Sequence, residues 1–325
     1  MPPPIHHFSM NPSNQSNRVP IGSAKDRQDD RNSRWGLSRH DGNCKFTHNF
    51  VQPAPLLFTQ DHHPLWLGDT YRGRSAFLIA GGPSFTDLDH APLRQPGILT
   101  LGLNNSVKSF RPNMWVCVDP PDHFIRSIWL DPVIQKFVPI CHADKRIFNS
   151  DQWHFMDIRV GDCPNIVYFK RNEHFKAKQY LWEDCINWGN HKKYGGGRSV
   201  MLAAIRILFI LGVRQIYMLG VDFKMSSTSK YHFDQDRHKG SISNNSSTYV
   251  KLNERFKELR PLFAQENFYI YNCNPDSGLT AFDYLPYQTA VNNMLGQFGN
   301  IDVRSERTRN LYDIKGYDKL KGIGK

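Results

Sequence analysis

The sequence lacks an apolar segment long enough to cross a membrane. Its longest apolar run, residues 200–212, is interrupted by Arg206, whereas a spanning helix needs about 18–20 consecutive apolar residues. The six cysteines include no Cys-x-x-Cys pair, which argues against a zinc ribbon or a redox dithiol. No charged segment followed by an apolar stretch stands after Met1, so we expect no signal peptide. Together these absences predict a cytoplasmic protein with reduced thiols.

Acidic residues are outnumbered by basic ones. The 325 residues include 41 Lys and Arg against 30 Asp and Glu, which gives a net charge of +11. Most of this excess lies in residues 70–300. A basic body favours an anionic ligand or polymer, such as a nucleotide or a nucleic acid. The alternative is that the charge only keeps the surface soluble.

Composition divides the chain into an arm, a domain and a tail. Residues 1–52 are rich in Pro, Asn and Ser and predict a disordered or loosely attached arm. Residues 53–300 predict one catalytic domain, and 301–325 form a basic tail. Within the domain, the insert 159–194 interleaves basic and aromatic residues. These suit a nucleic-acid or sugar surface, but we favour the alternative that the rings pack on the core and the lysines stay in water.

Short apolar runs alternate with helical segments along the domain. This alternation predicts an α/β fold with a doubly wound, mostly parallel, Rossmann-like sheet, in which ligands bind at the carboxyl ends of the strands. The predicted strands are 75–80, 97–102, 114–119, 137–141, 165–169, 215–219 and 268–272, and the predicted helices are 84–91 (helix or turn), 121–129, 197–211 and 251–262.

The first predicted strand runs directly into a glycine turn. Gly81, Gly82, Pro83 and Ser84 follow a continuous apolar run. Glycines allow a positive φ and a close approach to a ligand, and the N–H groups of a helix start attract phosphate. We therefore predict a bound nucleotide at this turn. The alternative is an ordinary turn, because the spacing matches neither the dinucleotide fingerprint nor the phosphate loop.

Polar residues also follow later strands, where this architecture places its pocket. Asn104 and Asn105 can hold a ribose, a phosphate or a base edge. Asp119 and Asp222 can bind a ribose hydroxyl, or a metal if the reaction needs one. Simple turns and helix caps are the alternatives.

A second phosphate-accepting helix start is predicted at residues 195–199. Gly196 and Gly197 precede Arg198, which can bind a phosphate bidentately, and Ser199, which suits an N-cap. The glycines stand directly before the strongest predicted helix, so they are more than a flexible linker.

Candidate acid and base residues cluster after Tyr231. His232, Asp234 and His238 suit a general base with a carboxylate partner. The serine- and asparagine-rich flanks predict a loop that orders over a ligand, and a solvated polar loop is the alternative. A metal site is disfavoured, because nothing in the spacing fixes a ligand geometry.

The order of these motifs resembles a known superfamily. Between residues 72 and 290 the chain reads Leu-Ile-Ala-Gly-Gly-Pro-Ser, Asn-Asn, Pro-Asn-Met-Trp-Val-Cys-Val-Asp-Pro, Gly-Gly-Gly-Arg-Ser and Tyr-Met-Leu-Gly-Val-Asp-Phe. In this order it is similar to the hydroxymethylpterin pyrophosphokinase-like proteins, the motility-associated glycosyltransferase factors and the bacterial lipooligosaccharide sialyltransferases. Related open reading frames occur in phages, and a phage-encoded protein would be located in the host cytoplasm.

The resemblance implies a Rossmann-like sheet that binds a nucleotide donor. In the sialyltransferases the turn has an extra Asn between its glycines, which is absent here. Their catalytic histidine aligns with Ser-Asn-Asn-Ser-Ser of this chain, so that His232 or His238 would stand in for it. The family's nucleotide contacts, helix-start serine and lid tyrosine fall on Gly81, Gly82, Ser84, Asn104, Ser199 and Tyr231.

Three functions are compatible with these residues. The first is a glycosyltransferase that uses a nucleotide-sugar donor and a hydroxyl acceptor on an anionic polymer, such as modified DNA, or on a surface glycan. In it Arg198 would neutralise the leaving group. The second is an ATP-dependent pyrophosphokinase for a small heterocycle, with Mg²⁺ or Mn²⁺ on Asp119 and Asp222. The third is a nucleic-acid-binding protein that keeps the Rossmann core without catalysis.

Overall fold

A computed structural model describes residues 56–224, 231 and 241–297, and of 241–245 it describes the backbone only. The predicted arm and tail lie outside these ranges. Within them, no helix is long and apolar enough to cross a membrane. The strands are β1 (Ser75–Ile79), β2 (Thr100–Leu103), β3 (Met114–Val116), β4 (Gln135–Pro139), β5 (Arg146–Asn149), β6 (His154–Arg159), β7 (Ile166–Phe169), β8 (Arg171–Asn172), β9 (Ile186–Asn187), β10 (Gln215–Leu219), β11 (Tyr269–Asn272) and β12 (Asp283–Tyr284), and the α-helices are α1 (Arg126–Leu130), α2 (Val200–Ile210), α3 (Ser241–Gln265) and α4 (Tyr287–Gly296).

Eight strands form one central sheet in the order β12-β11-β10-β1-β2-β3-β4-β7. All neighbouring pairs in it are parallel. From β1 the chain adds strands in one direction as far as β7, and it then returns to place β10, β11 and β12 on the other side. The prediction of an α/β fold with a doubly wound parallel sheet is confirmed, and the direction of winding reverses between β1 and β10.

Alternate residues of the strands enter two different apolar layers. Ala76 and Leu78 of β1 face the layer that α2 and α3 cover. Phe77 and Ile79 face the opposite layer, which α4 closes. Farther along that second face, α1 packs over β3 and β4 in a separate cluster. Because both faces are covered, the strands have the continuous apolar sequence from which they were predicted.

Several predicted elements differ in form or bounds from those observed around the sheet. The segment 121–129 is a three-residue 3-10 turn followed by the short α1 instead of one helix. Phe124 and Ile125 are extended between them, which brings the Phe124 ring to 5.2 Å from that of Trp115. The predicted strand 137–141 is β4, which begins and ends two residues earlier.

The helix predicted at 251–262 extends much farther towards its N-terminus. α3 begins at Ser241, so the serine- and asparagine-rich stretch expected as a loop flank is helical. Such residues are poor helix formers. The helix is stabilised instead by its later turns, where Leu252, Phe256 and Leu259 are buried in the core, because packing of an amphipathic face outweighs local propensity.

The insert 159–194 packs most of its rings inward. Tyr168, Tyr180 and Trp188 are buried, whereas Trp182 and Tyr194 are about half exposed. The lysines at 170, 176 and 178 are exposed. The insert therefore packs most of its rings in the core and keeps these lysines in solvent.

Lys136 in β4 is buried yet fully hydrogen-bonded. Its ammonium group donates to the carbonyl oxygens of Asp131, Ile134 and Pro164 at 2.6, 3.1 and 2.7 Å. Burial lowers the pKa of this lysine from 10.5 to about 8. The folded state therefore releases this proton at a lower pH than the unfolded chain does.

This difference predicts a pH-dependent term in stability. Between pH 8 and 10.5 the unfolded chain binds more protons at this position than the folded one, so the lysine's contribution to the free energy of unfolding rises with pH. Urea unfolding at pH 7, 8, 9 and 10 should show the wild type gaining stability relative to Lys136→Met. Lys170→Met, an exposed lysine at the end of β7, controls for the loss of one charge. Parallel pH curves for wild type and Lys136→Met would contradict the prediction.

Candidate functional site

The candidate site lies where the winding of the sheet reverses. The connections after β1 and β10 leave in opposite directions, which opens a crevice at the carboxyl ends of these strands. A cavity of about 710 Å³ occupies this crevice, within the usual size range of small-molecule sites. It is bounded by the segments after β1, β2, β3 and β10, by the start of α2 and by α3.

Most of the predicted site residues line this cavity. Ser84 follows Pro83 in the turn after β1, but it does not line the cavity. His232, Asp234 and His238 lie outside the described residues. The structure thus brings the proposed nucleotide-binding residues together, while their roles stay predictions. The predicted residues in the wall are Gly81, Gly82, Pro83, Asn104, Asn105, Asp119, Gly196, Gly197, Arg198, Ser199, Asp222 and Tyr231.

An aspartate from the β10 turn closes the glycine turn after β1. The Ser84 N–H donates to the Asp222 carboxylate at 3.3 Å, and the Gly82 N–H donates to the Gly220 oxygen at 2.7 Å. A Cβ on Gly82 would lie 1.7 Å from Asp222 Oδ2, whereas its φ of −75° suits any residue. The expectation of a positive φ is therefore wrong for Gly82. Glycine is required because the Asp222 carboxylate and the Gly220 carbonyl oxygen, which would lie 2.4 Å from an added Cβ, occupy the space of a side chain.

Hydrogen bonds from the segment 272–278 hold the turn that contains Asp222. Asn274 donates its side-chain amide to the Asp222 carboxylate, and the Gly278 N–H donates to the Asp222 carbonyl oxygen at 2.7 Å. Ser277 bonds the Val221 carbonyl oxygen at 2.7 Å. This segment therefore holds the turn that lines the pocket.

The residues after β2 leave a buried polar atom at the cavity. Asn104 has a φ of 48°, a left-handed conformation that asparagine tolerates. Its Oδ1 is buried without a hydrogen-bond partner among the described residues, as is Ser84 Oγ. An unsatisfied buried polar atom costs about 1–3 kcal/mol, which a ligand donor would offset. Asn105 instead donates to the His123 carbonyl oxygen at 2.9 Å.

Asp119 stands in the cavity wall among positive charges. Burial raises the pKa of its carboxyl group above the usual value, while the charges of His123, Arg171 and Arg198 act to lower it. Arg171 is itself fixed by a hydrogen bond of 2.5 Å to the Val118 carbonyl oxygen. A carboxylate held in this way can accept hydrogen bonds from ribose or sugar hydroxyls.

Arg198 precedes α2 and is held by two buried neighbours. Its guanidinium donates to the Glu173 carboxylate at 3.1 Å, and both side chains are largely buried. It also stacks on the Trp188 ring at 4.7 Å. Ser199 caps the helix as predicted, because its hydroxyl accepts from the Met201 N–H at 3.1 Å. The helix start and Arg198 are thus fixed before any ligand binds.

The glycine loop, residues 195–197, has three consecutive positive φ angles of 97°, 74° and 84°. Only glycine adopts such a run without strain. Two side chains of α3 contact this loop. Lys251 donates to the Gly195 carbonyl oxygen at 2.6 Å, and Arg255 donates to that of Gly196 at 2.7 Å.

Sequence reasoning missed an aromatic part of the wall. Phe223 has a φ of 49°, an unfavourable conformation for a bulky residue, and its ring stacks on Tyr249 at 4.6 Å. Both line the cavity, with Trp188, Lys192 and His123 at other points of the wall. Phe223 and His123 lie in the segments that follow β10 and β3, and this position could have marked them as candidate site residues. No local pattern marks Tyr249, because it comes from the unexpected part of α3.

The two carboxylates in the cavity do not suit a divalent cation. Both oxygens of Asp222 already accept hydrogen bonds, from the Ser84 N–H and the Asn274 amide. Asp119 faces the positive charge of Arg171. The described ranges contain no group of three His, Cys, Asp or Glu side chains that could hold a metal ion. Within the described ranges, no ready-made site is therefore formed for the Mg²⁺ or Mn²⁺ that the sequence left open.

Comparison with known proteins finds solved structures of similar fold. No protein-family model and no curated protein matches the sequence. The chain is similar to the MAf glycosyltransferase from Magnetospirillum magneticum AMB-1, with 14% identity, a TM-score of 0.41, and coverage of 82% of this chain and 39% of that one. It is similar to the sialyltransferase CstII from Campylobacter jejuni in complex with cytidine-5'-monophosphate, with 14% identity, a TM-score of 0.37, and coverage of 66% and 85%. A mammalian sialyltransferase matches with 11% identity, a TM-score of 0.32, and coverage of 56% and 67%.

The first two of these proteins come from groups that the order of motifs resembles. The chain spans well under half the length of the MAf glycosyltransferase. Since all three TM-scores are below 0.5, the likeness concerns the fold and carries no conclusion about activity. What this chain does is inferred from its own cavity.

The contact between Gly82 and Asp222 predicts a specific pattern of stability. Gly82→Ala should lower the free energy of unfolding by about 1–3 kcal/mol, because the new methyl group displaces the carboxylate. In the double variant with Asp222→Ala the total loss should be smaller than the sum of the two single losses, since the clash with the carboxylate is removed, whereas the clash with the Gly220 carbonyl oxygen, 2.4 Å from the added Cβ, remains. Chemical unfolding of the four proteins measures this.

Gly68→Ala is the matched control, because its added Cβ would meet nothing closer than the Ile210 carbonyl oxygen at 3.9 Å. Fully additive losses in the double variant would contradict the packing described for the turn.

Proposed function

We propose that the protein is a glycosyltransferase that moves a sugar from a nucleotide-sugar donor to an acceptor hydroxyl. The observation that carries this proposal is the cavity at the strand ends, where the start of α2, Arg198 and the turns after β1 and β10 meet. Its volume of about 710 Å³ accommodates a nucleotide with an attached sugar.

Positive charge favours placing the donor phosphate at the start of α2. A helix N-terminus carries a partial positive charge and N–H groups that bind anions. Arg198 adds guanidinium N–H donors although its charge is partly balanced by Glu173, and Lys192 and Lys224 also line the cavity. Because cleavage leaves negative charge on the phosphate, fixed positive groups stabilise the departing nucleotide more than the intact donor.

The transfer exchanges one C–O bond for another. The bond between the anomeric carbon and the phosphate oxygen breaks, and its electron pair leaves with the nucleotide. The acceptor oxygen forms the new bond to that carbon, and its proton passes to a base. His232, Asp234 and His238 stay the predicted bases, and His123 joins them because it lines the cavity beside Asp119.

An anionic acceptor is the class that the charge of the protein favours. The net charge is +11, and Lys192 begins a short basic segment at the cavity. In that segment the Lys193 ammonium lies 4.8 Å from the Tyr194 ring centroid, and Tyr194 is 44% exposed. A hydroxyl on an anionic polymer, such as modified DNA, or on a surface glycan would meet cations and an exposed ring there.

The first test is binding and turnover with a panel of nucleotide sugars. Thermal unfolding is measured with CMP-, UDP-, GDP-, ADP- and dTDP-linked sugars and with the free nucleotides, because a ligand that binds only the folded state raises the unfolding temperature. We expect at least one donor to stabilise the protein and to release its nucleotide when acceptor is supplied. No shift with any nucleotide or nucleotide sugar would refute the proposal.

Arg198 provides the sharper variant test. Arg198→Met should weaken donor binding about 10-fold or more, because a charge-assisted contact to phosphate is lost. It also removes the Arg198 partner of Glu173, so the double variant with Glu173→Gln is measured beside it to separate binding from folding. Arg146→Met, which removes an exposed arginine of the β5–β6 hairpin, is the control. Unchanged donor affinity in the folded double variant would argue against a phosphate at α2.

The same assays distinguish the other two functions. AMP released from ATP together with a pyrophosphorylated heterocycle would indicate the pyrophosphokinase. Salt-sensitive DNA binding without turnover of any nucleotide would indicate the nucleic-acid-binding protein.

A further inference from the structure

Two cations of α3 contact the glycine loop without lining the cavity. Lys251 and Arg255 are one helical turn apart, and each donates to a carbonyl oxygen of the loop, at 2.6 and 2.7 Å. The Arg255 guanidinium also stacks on the Phe175 ring at 4.7 Å. The loop itself, through Gly196 and Gly197, forms part of the cavity wall.

The planar peptide unit turns these contacts into a constraint on the opposite side of the loop. A trans peptide holds its carbonyl oxygen and its N–H in opposite directions. Since Arg255 takes the Gly196 oxygen, the N–H of Gly197 in the same peptide points away from Arg255. The Gly196 N–H is already used by the His191 carbonyl oxygen at 3.0 Å.

The loop needs such contacts because its sequence provides no rigidity. Glycine has access to more backbone conformations than any other residue, and ordering it has the largest entropic cost. Three glycines in succession would sample many orientations of their peptide groups. On the far side, the Gly197 carbonyl oxygen is packed against Gly189, where a Cβ would lie only 2.2 Å away.

We propose that Lys251 and Arg255 are positioning residues: Arg255 draws the Gly196 carbonyl oxygen towards α3 and thereby directs the Gly197 N–H to an anion in the cavity, while Lys251 holds the preceding peptide by its Gly195 carbonyl oxygen. The ligand class is the phosphate or pyrophosphate group of the donor, so this inference rests on the proposed function. Neither side chain contacts the ligand. They act by fixing backbone dipoles that, together with the α2 start, bind the anion.

The test compares charged and uncharged ligands in the full-length protein. Inorganic pyrophosphate, the nucleotide that gives the largest thermal shift, and the nucleoside with the same base are titrated by calorimetry. Arg255→Met should weaken pyrophosphate and nucleotide binding about 10-fold and leave the nucleoside within about 2-fold. Lys251→Met should act in the same direction, and Arg255→Lys, which keeps a donor for the Gly196 oxygen, should recover part of the loss.

Arg260 is the matched control on the same helix. It also donates to a backbone oxygen, that of Ala281 at 3.2 Å, and pairs with Asp283, but it is remote from the cavity wall. Arg260→Met should lower stability without changing pyrophosphate affinity. The titrations are repeated at about 0.5 M salt, where the effect of a distant charge is screened. The loss in Arg255→Met should persist there.

Each outcome decides between positioning and its alternatives. Equal loss of nucleoside and pyrophosphate affinity would mean general loosening of the fold and would overturn the inference. So would a loss that disappears at high salt, or pyrophosphate binding by Arg255→Met that equals the wild type. These results would leave the proposed function intact. A wild type that binds no nucleotide and no pyrophosphate would refute both.

Discussion

The site depends on the carboxylate of Asp222, which lies inside the turn that follows β1. Burying a carboxylate is costly unless its oxygens are hydrogen-bonded, and the Ser84 N–H and the Asn274 amide satisfy them. The contact joins the ends of β1 and β10 at the point where winding reverses. It also gives the glycine turn a negative charge of its own. A phosphate placed directly against this turn would be repelled, which favours the start of α2 for the phosphate of the proposed donor.

The positive groups at that end are held in place by the rest of the protein. Arg198 is fixed by Glu173 and Trp188, and the glycine loop is held by α3. Such groups need little rearrangement when charge develops on a leaving phosphate, which is the condition under which electrostatic stabilisation is large. Keeping the Arg198 and Glu173 side chains ionised while they are largely buried costs free energy, and the hydrogen bond between them offsets part of this cost.

The sheet and the location of the site could be predicted from sequence because both follow from local patterns. Buried parallel strands are continuous apolar runs, and polar residues directly after them must gather at one edge. Ser199 could be predicted as the N-cap of α2, because serine is a preferred N-cap residue. The Gly82–Asp222 contact could not be predicted, because its partners are 140 residues apart and glycine in a turn usually signals a positive φ. The early turns of α3 were missed because packing of its later residues, not local propensity, makes them helical.

The uneven distribution of charge in the cavity would give the proposed donor one preferred orientation. The start of α2 and Lys192 bring N–H dipoles and a cation to one part of the wall, whereas Asp222 and the Asn104 amide oxygen, which accept hydrogen bonds, lie at the ends of β10 and β2. A nucleotide sugar has negative phosphates in its centre and hydroxyl donors on its ribose and sugar. Phosphate at the α2 start would therefore bring hydroxyl groups to the acceptors, and the reverse orientation would set phosphate against the Asp222 carboxylate. Asp119 contributes less to this repulsion, because burial raises its pKa and the charges of Arg171 and Arg198 act on it. Because like charges repel strongly in a partly enclosed site, repulsion from Asp222 and attraction to the α2 start would set the orientation together.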